Sequence, residues 1–303
     1  MAIHDAHCHF FSTAFFAALG RQVKDADQNA PHETAIRKLG WDPPGSAEEL
    51  SDRWVLELDR AGVGRAVLMA SVPGDAQSVS TAVLRHPHRF VGWFMVDPTQ
   101  PDAQQRAVDA IDRGGLRAMC LFPAMQRFGI QDERVRALFE AAAARPGTAI
   151  FVHCGALTVG VRTKLGLTSP FDTSLGNPLL VQPLAHAYPT VPVIIPHFGA
   201  GFFREALMTA DLCPNVHLDT SSSNRWTSYH PGLTLAAVLR QALAVAGADR
   251  LLFGSDSSFF PRGWVRQVYE QQAAALKEIG AGEDVRARIF GGNFERLFPQ
   301  AAH

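Results

Sequence analysis

Eight short apolar runs, each followed by a turn and then by a longer stretch with helical spacing, constrain this 303-residue chain more than any other feature. They fall at residues 3–9, 65–71, 89–96, 116–122, 149–154, 191–197, 215–220 and 250–256. Most are continuously apolar, as strands buried on both faces of a parallel sheet must be. Between them, residues 47–61 carry Leu50, Trp54, Leu58 and Ala61 at three- and four-residue spacing, and residues 132–144, 233–246 and 264–279 repeat that period. Gly147, Gly247 and Gly280 stand where helices should stop. Strands alternating with helices imply right-handed crossovers and a parallel sheet. An open doubly wound sheet would carry a glycine-rich phosphate loop after its first strand; here that strand runs into His7-Cys8-His9-Phe10-Phe11. The expected fold class is therefore α/β, a (β/α)8 TIM barrel in one domain over residues 1–303, with insertions on the carboxyl-end loops.

Composition narrows the partners. A chain that is 47% hydrophobic and 19% charged supports a sizeable core. A net charge of −1 gives no basic surplus for bulk nucleic acid or an anionic membrane, so neither is an expected partner. No apolar run is long enough to cross a bilayer, and the first residues lack the basic and apolar segments of a secretory signal. Cys8, Cys120, Cys154 and Cys213 show no C-x-x-C spacing, and three of them sit in strand-like runs. Buried thiols in a reduced, cytoplasmic protein are the expectation.

Two connections are longer than the rest, residues 10–64 and 155–188. Both follow strands, so both belong on the carboxyl-end face, where barrel enzymes place their chemistry. Long ordered connections there are usually functional covers.

Four further features converge on that same face. His7 and His9 are two apart on the first strand, so their side chains share a face while Cys8 turns to the helix layer. His153 ends the fifth run, His197 the sixth and Asp256 the eighth. Imidazoles and a carboxylate gathered at one barrel mouth make a site for a zinc-like divalent ion that keeps one position open. Taken singly, any of these histidines is an ordinary packing or surface residue; it is their common address that points to ligation.

The segments DAHCHF, FVHCGA, PHFGAGFFREA and LLFGSDSSF, with the carboxyl-terminal IFGGNFERLF, resemble the amidohydrolase superfamily in order and spacing. The likeness is to its branch containing aminocarboxymuconate-semialdehyde decarboxylase, γ-resorcylate decarboxylase and related hydrolases, and it covers nearly the whole chain. The resemblance implies that His7, His9, His153 and Asp256 bind one divalent metal ion, zinc first and manganese second. It implies that His197 stands beside the ion as the proton-transfer residue, with Asp256 also catalytic. Many binuclear members use a carboxylated lysine from the fourth strand; residues 116–122 have none, which favours one metal.

The resemblance and the site together lead to a metal-dependent carbon–carbon lyase acting on a small carboxylated organic acid. The alternatives are a metal-dependent hydrolase of a lactone, ester or amide, and a non-catalytic binding barrel. A small-molecule substrate with a carboxylate calls for a guanidinium clamp. Arg162, Arg204, Arg225 and Arg262 all fall on carboxyl-end loops, and Arg225 and Arg262, beside Trp226 and Trp264, are the first choices for substrate binding. Phe10, Phe11, Phe202, Phe203, Phe259 and Phe260 either wall a pocket or simply pack. His217 and Asp219 share a strand face and are expected to be a structural hydrogen-bonded pair, with residues 221–224 lining the pocket or capping a helix. His4, His32, His86, His88, His186, His230 and His303 are expected on the surface or in loops. A homodimer is allowed by the resemblance, with no interface legible in the chain.

Overall fold

A computed structural model describes residues 2–222 and 224–300; Ser223 and His303 lie outside the described residues. The apolar runs become strands β1 (Ile3–Asp5), β2 (His9–Phe10), β3 (Val63–Ala70), β4 (Phe90–Met95) and β5 (Ala118–Leu121). The second half supplies β6 (Ala149–Val152), β7 (Val193–Ile195), β8 (Val216–Asp219) and β9 (Leu251–Leu252). Every pairing is parallel and follows chain order, with β1 and β2 both on the edge of β3. One expected strand over residues 3–9 is thus two short ones separated by Ala6, His7 and Cys8.

The last strand meets the first at a seam made of single contacts. Ala6 N–H donates to the Phe253 carbonyl at 2.8 Å, Asp256 N–H to His7 at 2.9 Å and His9 N–H to Ser257 at 2.7 Å. These bonds complete the (β/α)8 barrel.

Strand alternation sorts the side chains into two cores. Ala6, Val67, Met69, Trp93, Phe151, Ile194 and Leu252 fill the barrel interior, and Phe294 and Phe298 close its floor. Cys8, Leu68, Phe94, Leu121 and Leu218 face the helices. The interior is a packed core and not a pore. At the floor, the buried Arg65 guanidinium donates to Glu295 Oε2 and to the Phe298 carbonyl, each at 2.8 Å. His4 is not the surface or loop residue expected. It is a buried strand residue whose Nδ1 accepts from Arg65 N–H at 3.0 Å while its Nε2 meets Glu295 at 3.0 Å.

Helix Ala47–Ala61 has the bounds that its periodicity predicts, because both ends are chemically marked. Ser46 and Glu49 form a reciprocal capping box, and Gly62 at φ 73° terminates it in the left-handed region. Its buried stripe of Leu50, Trp54 and Leu58 contributes about 1.5–3 kcal/mol per side chain. Helices Glu133–Ala143, Leu235–Ala246 and Arg266–Glu278 lie within two residues of expectation.

The two long connections are not plain loops. Residues 10–64 contain helices Thr13–Gly20 and Pro31–Leu39, and the connection after β6 contains Gly160–Lys164. Phe15, Phe16, Leu19 and Ile36 from the first bury themselves against Val161 and Leu165 from the second. The result is a cap with its own small core over the carboxyl-end face. All four cysteines are buried and unpaired. Among the described residues, no helix is long and apolar enough to cross a membrane.

Candidate active site

The site begins with a buried carboxylate. Asp5 Oδ1 accepts from His7 N–H at 2.9 Å and from Ser255 N–H at 3.0 Å, and Oδ2 accepts from the Trp264 indole at 2.7 Å. It brackets the break after β1 and draws the exits of β1 and β9 together. Burial pushes the Asp5 carboxyl above its ordinary pKa, against the pull of these donors.

Beyond the bracket, His7, His9 and Asp256 converge, with ligand atoms all within 4.8 Å of one another. Asp256 Oδ1 lies 3.1 Å from His9 Nε2 and 3.8 Å from His7 Nε2. Each imidazole is held from behind: His7 Nδ1 by Asp219 Oδ2 at 2.6 Å, and His9 Nδ1 by Ser71 Oγ at 2.7 Å. Such contacts fix ring orientation and leave the other nitrogen directed into the site. Burial alone lowers the pKa of His7, but the Asp219 carboxylate overcomes it and lifts the imidazole to about 9. His9 goes the other way, its burial outweighing the nearby Asp256. Asp256 is held well below the usual carboxylate range, since the hydrogen bond from His9 and the charge of His7 outweigh burial.

Two more histidines stand beside this cluster. His153 follows β6 directly, stacks on Phe122 at 5.4 Å and meets His197 edge-on at 5.3 Å. Its Nδ1 is buried with no partner among the described residues, and burial depresses its pKa well below the ordinary value. His197 lies 5.1 Å from His7, ring to ring, and its Nδ1 faces Ser221. Burial lowers its pKa too, against the pull of Asp256. His197 and Phe198 take left-handed backbone (φ 55° and 52°), a conformation that costs non-glycine residues on the order of 1 kcal/mol or more each. Gly155 makes room for that turn: a Cβ there would lie 2.1 Å from the Gly199 carbonyl oxygen.

The structure therefore brings His7, His9 and Asp256 into one cluster and sets His153 and His197 side by side against it. Donors of this type suit a divalent ion, and the buried Nδ1 of His153, unpartnered among the described residues, offers a third nitrogen beside the cluster. Arg262 reaches the rim: its guanidinium donates to the Asp256 carbonyl at 3.1 Å and to Ser258 Oγ at 2.7 Å, and lies 4.6 Å over the Phe259 ring. Arg225 is exposed, and its guanidinium makes no hydrogen bond or ion pair among the described residues. Arg204 is occupied by Glu205, and Arg162 by Thr168 and Gln22. Phe259 stacks on Trp41 from the cap at 3.6 Å, and Trp41 and Phe11 continue toward His9, whose ring is 5.6 Å from Phe11.

The expected His217–Asp219 pair does not form. Asp219 is taken by His7, while His217 Nδ1 has no partner among the described residues and burial drives its pKa to about 3. Asp5, Ser71, Asp219 and Ser221 are the contributors that sequence reasoning missed in these roles. The one available signal was an inward-facing acid at the carboxyl end of a strand, and it was assigned to the wrong histidine.

The amidohydrolase family profile matches residues 4–300. In sequence, the chain is 33% identical over 85 residues to protein fluG of Emericella nidulans, covering 28% of this chain and 10% of that protein. It thus spans a small part of that relative's length. Among solved structures, it is similar to 5-carboxyvanillate decarboxylase LigW2 from Novosphingobium aromaticivorans, which holds manganese, with a TM-score of 0.64 and 16% identity over 98% of this chain and 96% of the other. A protein assigned as 2-pyrone-4,6-dicarboxylic acid hydrolase from Pseudomonas putida gives a TM-score of 0.63 at 18% identity over 100% and 99%. At these identities the likeness establishes the barrel fold and no activity.

Proposed function

The chain belongs to the amidohydrolase family, and on that premise we propose that it is a metal-dependent carboxy-lyase acting on a small carboxylated organic acid. The observation that carries the reading is Arg262, bound to the carbonyl of Asp256 and so fixed at the rim of the His7–His9–Asp256 cluster. A guanidinium there meets a substrate carboxylate next to the reacting centre. His7, His9 and Asp256, with His153 as fourth donor, would hold one divalent ion, zinc before manganese given three imidazoles and one carboxylate. Bound there, the ion supplies Lewis acidity to a substrate oxygen.

The chain's own groups do the rest. Arg262 orients the carboxylate, and Phe11, Trp41 and Phe259 shield that side of the mouth from water. The carbon–carbon bond to the carboxylate breaks, its electron pair stays on the substrate carbon, and CO₂ leaves. His197 takes up a proton on its outward nitrogen and delivers it to that carbon. The four buried thiols fit a reducing, cytoplasmic setting, which belongs to the same proposal.

The test pairs metal analysis with a turnover screen. Aromatic and unsaturated carboxylic acids, with CO₂ detection, are set against lactones and esters. We expect CO₂ release from an acid, lost in His197→Ala at unchanged metal content and lost together with the metal in His9→Ala. Turnover confined to lactones or esters would replace the lyase with the hydrolase. Loss of metal in His197→Ala would move His197 into the ligand set.

A further inference from the structure

Trp41 is half-buried against the core of the cap. The main chain beside it is tied to the barrel, where Asp42 N–H donates to the Phe260 carbonyl at 3.0 Å. Next to that bond the indole lies flat on the half-buried ring of Phe259, on the connection after β9. The ring centres are 3.6 Å apart and the planes within 7° of parallel. A face covered at that distance has no room for a second group. The Arg262 guanidinium, 4.6 Å from the same ring centre, therefore takes the opposite face. Cap indole, phenyl ring and guanidinium form one stack.

The stack matters because Arg262 is exposed and its other supports are few. Its two hydrogen bonds, to the Asp256 carbonyl and to Ser258 Oγ, both come from Nη2 and both face competition from water. An arginine side chain carries considerable rotamer freedom, and a flat aromatic face restrains its planar head as well as attracting the charge. Phe259 offers that face only while its own ring is held, and what holds the ring from behind is Trp41. Nε and Nη1 make no hydrogen bond among the described residues, so their hydrogens remain for an incoming carboxylate.

We infer that Trp41 is a positioning residue: acting through Phe259, it holds the Arg262 guanidinium in place, so that the carboxylate clamp is assembled only while the cap is docked on the barrel. The inference deepens the role proposed for Arg262 and rests on that reading for its use. The stack itself can be observed without substrate.

Arginine side-chain NMR of the full chain reads the guanidinium directly. A group lying over a ring has its Nε–H signal shifted upfield by the ring current, and Arg262→Lys identifies the signal by its loss. In Trp41→Leu the signal should move back toward that of free arginine; in Trp41→Phe, which keeps a flat ring against Phe259, it should stay. For an acid turned over in the screen, Trp41→Leu should raise KM about two- to five-fold, the worth of one exposed cation–ring contact, and by more than it lowers kcat. Phe259→Leu should raise KM as much, and the double variant no further, since both changes remove the same stack. An Nε–H signal unmoved in Trp41→Leu, or KM losses that add in the double variant, overturns the inference. Failure of the carboxylate reading shows elsewhere, as an unchanged KM in Arg262→Lys, and if no acid is turned over the Nε–H signal decides alone.

Discussion

Replacing Asp219 by Asn preserves the shape of the residue behind His7 while removing the charge that its Nδ1–H meets at 2.6 Å. Partners of this kind typically hold metal affinity by a factor of about 10–100, so Asp219→Asn should weaken zinc binding by that much. Competition against a chromophoric chelator measures it; an affinity within two-fold of the unaltered protein would deny Asp219 the role. The contrast between His7 and Asp219 shows what single residues disclose in a sequence. His7 and His9 are legible because two-residue spacing puts both on one strand face. Asp219 and Asp5 are not, because the atoms they serve are far away in the chain: Asp219 holds a residue 212 positions distant, and Asp5 holds Ser255, 250 positions on. The expectation of a His217–Asp219 pair failed for a geometric reason. Two residues apart on one strand they share the barrel interior, but they stand about 6–7 Å apart along it. Asp219 therefore reaches the mouth, and His217 stays lower down, where Arg250 and Arg296 add to its burial in disfavouring charge.

Elements were read well where their ends carry chemistry and too generously where they do not. Helix Ala47–Ala61 is bounded by a capping box and a left-handed glycine, both visible in the chain. The apolar runs at 149–154, 191–197 and 250–256 continue past ladders that stop at Val152, Ile195 and Leu252. Hydrophobicity reports burial, and the segments past these strand ends are mostly buried while making single backbone bonds that do not continue the regular ladder. The cap was legible only as two long connections, since its core joins residues more than a hundred positions apart. That core is separate from the barrel's, and the two elements should part company under stress. Phe16→Ala removes a buried ring whose loss from a core costs about 3–5 kcal/mol. We expect faster amide exchange in Thr13–Gly20, Pro31–Leu39 and Gly160–Lys164, with exchange in β3 to β8 unchanged, because locally packed units open on their own. Uniform acceleration through the strands would show that cap and barrel are one cooperative unit.

For the whole molecule, stability is tied to both ends of the barrel axis. At the floor, Glu295 joins His4 to the otherwise buried Arg65. Glu295→Ala leaves that guanidinium with the Phe298 carbonyl and should cost about 1–3 kcal/mol in urea unfolding, discounted because Glu295 is itself partly exposed. An unchanged urea midpoint would remove the tie from the stability of the barrel. In the interior, His217 is buried neutral with its pKa lowered from 6.5 to about 3. A lowered histidine means that the unfolded chain binds the proton more readily. The stabilisation is complete above the unfolded value and is lost as pH falls from 6.5 toward 3, at up to about 1.4 kcal/mol per pH unit. His217→Leu should therefore flatten the acid side of the stability profile relative to the unaltered protein; parallel profiles would contradict it. The seam carries a consequence of another kind. The bonds that zip the last strand to the first come from Ala6, His7 and His9 on one side and from Phe253, Asp256 and Ser257 on the other. During synthesis the two imidazoles emerge long before the carboxylate that completes their cluster. Under the proposed function, a nascent chain that stops short of the seam holds three of the four donors, lacks the Asp256 carboxylate and is inert. On that proposal, competence arrives in one step with topological closure, and an unfinished copy has no chemistry to misdirect.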